Sequence, residues 1–230
     1  MLEEGQGEDV RERLVAIGEI AAEIAHELRN MLQVITANAF LARQNPAASA
    51  PALLKIERHA RIANTIVDDL MALARGEAAR AELTRVAEIV IAARSELAPN
   101  AATWDDSLTP IGLRARVHAG LATRLLHALY DNAVAASLPR VPRVTTRAYL
   151  DGDWAVIQVE DDGPGVCPTL AARIFDPLVT GRGDGTGLGL ALARRIAAAH
   201  GGTITLAPSP SVADGAASPG ACFEVRLPAR

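Results

Sequence analysis

Apolar positions in the first third of the chain fall at three- and four-residue steps. Leu14, Ile17, Ile20 or Ala21, Ile24, Leu28, Leu32, Ile35 and Ala39 form one such series, the spacing of a helix that buries a single stripe. The pattern persists to about Arg43, which predicts a rod of roughly 50 Å at ~1.5 Å per residue. Residues 44–51 (QNPAASAP) then interrupt it with two prolines, and proline breaks a helix. A second series, Ile56, Ala60, Ala63, Val67, Leu70 and Ala74, steps alternately by four and three. That is a heptad seam on a helix expected over about 52–75. Two long helices with a short connection form an antiparallel hairpin. One hairpin cannot hide both seams, whereas two of them form a four-helix bundle, so a homodimer is expected. A lone hairpin packed on the rest of the chain is the other arrangement that meets the same pattern.

The texture changes near Gly76. Residues 1–9 are polar and are expected to be a flexible N-terminus; 10–76 form the hairpin domain, 77–82 a linker, and 83–230 a second domain. In that domain Leu83–Leu97 reads as a helix ended by Pro99-Asn100. Thr103–Leu108 and Leu113–Val117 read as short strands, and Leu121–Ser137 as an amphipathic helix. Val144–Leu150 and Trp154–Glu160 alternate like strands around Asp151-Gly152-Asp153, good hairpin chemistry. Gly187–His200 reads as a helix ending at Gly201-Gly202, followed by strands at Thr203–Leu206 and Cys222–Leu227, with a flexible loop over 208–220 between them. Strands and helices mixed in this way predict an α+β protein: the helical hairpin followed by an α/β sandwich.

Composition narrows the class. Half the residues are apolar and aromatics are only 3%, so the core must rest on Ala, Leu, Ile and Val. The net charge is −4 with no basic stripe, which argues against a nucleic-acid partner. No run of about 18 apolar residues exists to insert in a membrane, and residues 1–10 are too acidic for a signal peptide. Two distant cysteines, Cys167 and Cys222, make no disulfide framework and suit a reducing, cytoplasmic setting as packing residues. The histidines show no metal-binding spacing; His59, His118, His127 and His200 take surface or capping roles.

Four stretches carry chemistry. His26-Glu27-Leu28-Arg29-Asn30 lies within the first long helix, with His26 two residues before the seam residue Leu28 and therefore projecting from the bundle flank. An imidazole titrating near ~6.5 is largely an uncharged nucleophile at neutral pH. Glu27 is placed to fix its tautomer and take its proton, and Asn30 sits one turn on. A solvated polar patch would look the same. Asp131-Asn132-Ala133 lies on the helix 121–137, where the Asn132 oxygen is a hard neutral ligand suited to Mg²⁺ on ATP phosphates. Asp161-Asp162-Gly163-Pro164-Gly165 ends a strand. A carboxylate there can accept a hydrogen bond from an adenine amine, and the glycines allow close approach; a plain turn has the same letters. Residues 181–189 carry glycine at every second position and run into an amphipathic helix, whose first N–H groups can cradle phosphates. The glycine spacing is neither a Walker loop nor a dinucleotide fingerprint, and its density suits a mobile lid.

In order and spacing, these stretches resemble the two-domain core of sensor histidine kinases. HELRN resembles the phosphoacceptor H box, residues 131–133 (DNA) the N box, DDGPG the first glycine box, IFDPL at 174–178 the F box, and GTGLGL at 185–190 the second glycine box. The ending from Gly220 to Pro228 is similar to the family's last strand. The resemblance spans about residues 11–228.

It implies a dimerisation and phosphotransfer hairpin joined to an ATP-binding sandwich of the gyrase, Hsp90 and MutL type. His26 would be phosphorylated from ATP, with Glu27 accepting its proton and Asn30 positioning a hydrolytic water in phosphatase turnover. Asn132 would hold Mg²⁺, and Asp161 would bind adenine. Gly163, Gly165, Gly185, Thr186, Gly187, Leu188 and Gly189 would shape the pocket and lid, and Arg182, where the family often has lysine, would reach the γ-phosphate. The implied partners are a second copy, a response-regulator receiver domain that takes the phosphoryl group on aspartate, and a separate sensor protein or domain. Met31 replaces the proline usual after the H-box Asn, Ala128 the first Asn of the N box, and Leu178 and Val179 the F-box aromatics. These departures motivate two alternatives: a phosphotransfer or docking scaffold with a degenerate ATP domain, and an ATPase without phosphohistidine.

Overall fold

The structure is a computed structural model that describes residues 28–44, 49–74, 81–176, 179–181, 187, 189–208 and 220–230. The chain divides into two compact units, Met1–Gly76 and Glu77–Arg230.

The first unit is helical. Residues 28–44 form α1 and Ser49–Ala74 form α2, with 26 residues. Met31, where a proline would introduce a break, lies inside the unbroken α1 and is buried, as is Ala52 on α2. Of the expected seam, Leu28, Ile35 and Ala39 are half-buried within the single chain. Met31 takes the inward position, while Leu32 is 59% exposed. Phe40, Leu41, Leu53 and Leu54 are likewise exposed in the single chain.

The second unit layers its three longer helices on a five-stranded sheet. In chain order its elements are β1 (Glu82–Arg85), α3 (Val86–Ser95), β2 (Thr103–Thr109), β3 (Arg114–Val117), α4 (Ala119–Ser137), β4 (Arg143–Asp151), β5 (Trp154–Asp161), α5 (Pro168–Ala171), α6 (Gly189–Ala199), β6 (Thr203–Ala207) and β7 (Cys222–Pro228). The sheet order is β2-β4-β5-β7-β6, and β1 pairs with β3 separately. β2 runs parallel to β4, and the other neighbours are antiparallel. The β4–β5 hairpin turns at Gly152-Asp153, where Gly152 takes φ +58°, a left-handed conformation natural to glycine.

α4 supplies the centre of the core. Leu121, Leu125, Leu126, Leu129 and Tyr130 are all essentially buried, each stabilising the fold by about 1.5–3 kcal/mol. Ile157 and Val159 of β5 and their register partners Val225 and Phe223 of β7 are buried as well. A polar cluster fastens α3 to the sheet edge. The Arg94 guanidinium lies 4.4 Å from the Trp104 ring centre and 5.2 Å from that of Tyr130. It donates to both Asp106 oxygens and to the Thr146 hydroxyl, which also bonds the Tyr130 hydroxyl at 3.0 Å.

Several expectations change. Leu83–Arg85, expected to open a helix, instead lies in β1, because residues 82–85 pair with Arg114–Val117 and tertiary pairing overrides local propensity. α3 therefore starts at Val86. α5 was not foreseen. His200 is buried rather than superficial: its Nδ1–H donates to the Ile196 carbonyl (2.8 Å), and its Nε2 accepts the His118 N–H (3.0 Å). Cys167 is exposed, so only Cys222 packs in the interior.

Candidate nucleotide site

Of the residues singled out in sequence, His26, Glu27, Arg182, Gly185, Thr186 and Leu188 lie outside the described residues. Asn30 is half-buried on α1 of the first unit. The second unit holds Asn132, Asp161, Gly163, Gly165, Gly187 and Gly189.

Strand parity places Asp161 inward at the end of β5, 5% exposed. Its Oδ1 accepts the Gly163 N–H at 2.8 Å and the Ala221 N–H at 3.4 Å, while its own N–H donates to the Ala221 carbonyl at 2.9 Å. Burial pushes the carboxyl above the usual aspartate range, and the two N–H bonds oppose this. A buried carboxylate with both backbone bonds on one oxygen is placed to receive a donor on the other.

The following glycine is dictated by space. A β carbon on Gly163 would sit 2.6 Å from Asp161 Oδ1 and 3.0 Å from the hydroxyl of Ser137. Gly165 lies against the carbonyl of Gly220, at 3.0 Å from where its β carbon would be. Gly220, with φ +30°, packs so tightly that a β carbon would fall 1.7 Å from the Asp161 carbonyl oxygen. No side chain fits there.

Asp162 faces the other way. Arg140 grips it with Nη1 on Oδ2 (2.8 Å) and Nη2 on Oδ1 (2.9 Å), and Nη2 also donates to the Asp162 carbonyl (2.8 Å). The Arg143 N–H donates to Oδ1 at 2.9 Å. The Arg140 guanidinium holds this carboxyl below the usual range. The two adjacent aspartates are thus divided: one buried and partly open, the other clamped at the surface.

α4 joins the remaining parts. Ser137 on its last turn touches Gly163, and Ala128 lies 3.7 Å from where a β carbon on Gly189 would sit, at the start of α6. Those two points are about 13 Å apart along the helix, with Asn132 between them and half-buried. Ala128 and Asn132 share a flank, one turn apart. Ala128, where the resemblance expects Asn, is therefore part of the α4–α6 packing. Gly187, with φ +69°, leads into α6. Phe175 of the F-box stretch meets Phe223 of β7 edge to face at 6.1 Å, and its neighbour Asp176 accepts from Arg173. Sequence reasoning did not assign Gly220, Ala221, Ser137 or Arg140 to the site. Only Gly220 carried a local signal, a glycine after proline at the head of a strand.

Among the described residues no group of three or more His, Cys, Asp or Glu is arranged to hold a metal. Asn132 fits the alternative, a single hard oxygen completing a coordination shell that phosphates and water supply.

A buried strand-end carboxylate, a tight glycine turn beside it and an asparagine-bearing helix are gathered in the second unit, which follows the helical hairpin in the chain. Family models agree with that division. Residues 118–230 match the histidine kinase-, DNA gyrase B- and HSP90-like ATPase, and residues 16–79 match the His Kinase A (phospho-acceptor) domain. The chain is 33% identical over 226 residues to the sensor histidine kinase ZraS of Klebsiella oxytoca, covering 95% of this chain and 47% of that protein. The Acinetobacter baumannii histidine kinase AdeS shares the fold with a TM-score of 0.63 at 19% identity, over 89% of this chain and 98% of that one. Full-length ShkA, solved in complex with AMPPNP, gives a TM-score of 0.58 at 26% identity, over 91% of this chain and 45% of that one. The chain belongs to the sensor histidine kinase family, and its second unit is an ATPase domain of that family's type. It spans about half the length of the curated relative, 47%. Among the described residues no helix is long and apolar enough to cross a membrane.

Proposed function

We propose that the chain is the kinase core of a two-component system: it binds ATP in the second unit, phosphorylates its own His26, and passes the phosphoryl group to an aspartate of a response-regulator receiver. The observation that carries the reading is the inward Asp161 carboxylate over a glycine turn too tight for any side chain, in a chain that also matches a phosphoacceptor domain across residues 16–79. The AMPPNP bound by the relative ShkA is consistent with ATP as the nucleotide.

Asp161 accepts the adenine amine, and Gly163 and Gly165 let the purine approach. Asn132 offers its side-chain oxygen to Mg²⁺; when bound, the ion supplies neutralisation of the phosphate charge. Gly185, Thr186, Gly187, Leu188 and Gly189 present backbone N–H groups to the phosphates, and Arg182 adds a positive charge at the terminal one. Phosphoryl transfer needs in-line placement and charge neutralisation more than covalent help. A ring nitrogen of His26 bonds to the γ-phosphorus as its bond to the bridging oxygen breaks. ADP leaves, and Glu27 takes the ring proton. Asn30 orients a water that hydrolyses the aspartyl phosphate of the receiver, the phosphatase task.

The exposed Leu32, Phe40, Leu41, Leu53 and Leu54 of the hairpin support a homodimer, since lone hairpins rarely leave such side chains in water. Input comes from a sensor domain or protein outside these residues. The reaction belongs in the cytoplasm, where ATP is available and the Cys167 and Cys222 thiols stay reduced.

The test is incubation with radiolabelled ATP and Mg²⁺. Label that is acid-labile, alkali-stable and lost in His26→Gln supports the reading, as does onward transfer to a receiver domain. Equal labelling of His26→Gln refutes the assignment of the acceptor.

A further inference from the structure

One peptide unit links the two aspartates. The carbonyl of the Asp162–Gly163 peptide accepts Arg140 Nη2 at 2.8 Å, and the N–H of the same peptide donates to Asp161 Oδ1 at 2.8 Å. A peptide is planar, with its C=O and N–H pointing opposite ways. Whatever holds the carbonyl outward therefore aims the N–H inward. The bonds also reinforce each other, because a bonded carbonyl polarises the N–H of its own amide.

This peptide needs holding. A β carbon on Gly163 would sit 2.6 Å from Asp161 Oδ1 and push that carboxylate aside. A glycine following a peptide also removes the steric bar to flipping it, since only glycine freely takes the positive φ that results. Gly163 lies outside the left-handed region here. A flip would replace the N–H facing Asp161 with a carbonyl oxygen and turn the buried carboxylate. Arg140 opposes it with three bonds, two to the Asp162 carboxylate and one to the carbonyl at issue. The arginine lies in the short connection between α4 and β4, so it anchors the turn to the helix that bears Asn132.

We propose that Arg140 is a positioning residue for adenine recognition: its guanidinium fixes the Asp162–Gly163 peptide so that the Gly163 N–H orients the Asp161 carboxylate toward the purine amine. The proposal rests on the reading of Asp161 as the adenine acceptor. Arg140 itself is exposed, and its role is to act through the peptide.

The test compares two ligands by calorimetry on the whole chain: ADP with Mg²⁺, and the same diphosphate lacking the 6-amino group. Wild type is expected to prefer ADP by roughly tenfold or more, the worth of a hydrogen bond to a charged group. In Arg140→Ala that preference is expected to fall to about threefold or less, with affinity for the amine-free analogue held within about twofold. The retained analogue binding shows that the pocket is still folded. Arg140→Lys is expected to regain only part of the preference, because one ammonium cannot span the carboxylate and the carbonyl as a fork does. An unchanged preference in Arg140→Ala overturns the proposal, and so does equal loss for both ligands, which signals general loosening. Wild type that binds both without preferring ADP removes the role of Asp161 and the inference with it. Wild type that binds neither defeats the ATP-binding reading itself.

Discussion

Replacing Asp161 by asparagine separates what the site does from what the fold needs. The amide keeps one carbonyl oxygen, which can still accept the N–H groups of Gly163 and Ala221 that now end on Oδ1. The second oxygen becomes an NH₂ group, so an adenine amine would meet a donor instead of an acceptor. A hydrogen bond to a charged group is worth about 1.5–3 kcal/mol, so affinity for ATP is expected to fall roughly 10- to 150-fold. Stability moves the other way. Burial raises the Asp161 pKa in the folded chain above the unfolded value of 3.8. The contribution of a group shifted in that sense is whole below the unfolded pKa and is lost as pH rises through the folded one. At neutral pH the ionised carboxylate is therefore a cost to the fold, and Asp161→Asn is expected to melt at the same temperature as wild type or higher. Calorimetric titration with ATP and a scanning-calorimetry melt at neutral pH decide both halves. Affinity within about threefold of wild type would refute the adenine assignment, and a clearly lower melting temperature would refute the claim that the charge is carried at the fold's expense.

Three further expectations concern the frame around the site. Gly220→Ala puts a β carbon 1.7 Å from the Asp161 carbonyl oxygen, so the β7 entry must shift; a loss of about 1–3 kcal/mol is expected in urea melts, with weaker nucleotide binding. Burial pushes the His200 pKa below 6.5, so its contribution is whole above the unfolded pKa and falls as pH drops toward the folded one. Urea midpoints should decline as the pH falls below the unfolded value of 6.5, and His200→Gln, which cannot titrate, should flatten that slope. Tyr130→Phe removes the 3.0 Å bond to the Thr146 hydroxyl while Arg94 still bonds that hydroxyl, so a cost near 1 kcal/mol is expected, and an unchanged melt would show the cluster to be held by ring packing alone.

What could be read in advance follows from how local each signal is. The β4–β5 hairpin was legible because alternation and Asp151-Gly152-Asp153 specify it within a few residues, and Gly152 indeed turns with positive φ. α4 was legible from its stripe of leucines. β1 was not, since residues 82–85 are strand only through pairing with residues 114–117, and nothing in Glu-Leu-Thr-Arg announces it. The parallel pairing of β2 with β4 was hidden for a similar reason: alternation carries no direction. In the hairpin, Met31 and its neighbour Leu32 are both apolar, so periodicity did not announce that Met31 is the one buried within the single chain. The turn Asp161–Gly165 announced itself by composition. Arg140, whose partner lies 22 residues on, looked like any surface cation between two prolines.

The tie between His200 and His118 gives α6 one fixed end. The helix is 11 residues long, about 16 Å. Its last turn is pinned through His200 to the backbone that opens α4, at 3.0 Å, while at its first turn Gly189 faces Ala128. Such a member behaves as a cantilever. A tilt of about ten degrees about the pinned end would carry Gly189 some ~3 Å, and the buried Ala193 and Ile196, nearer the pin, a shorter way.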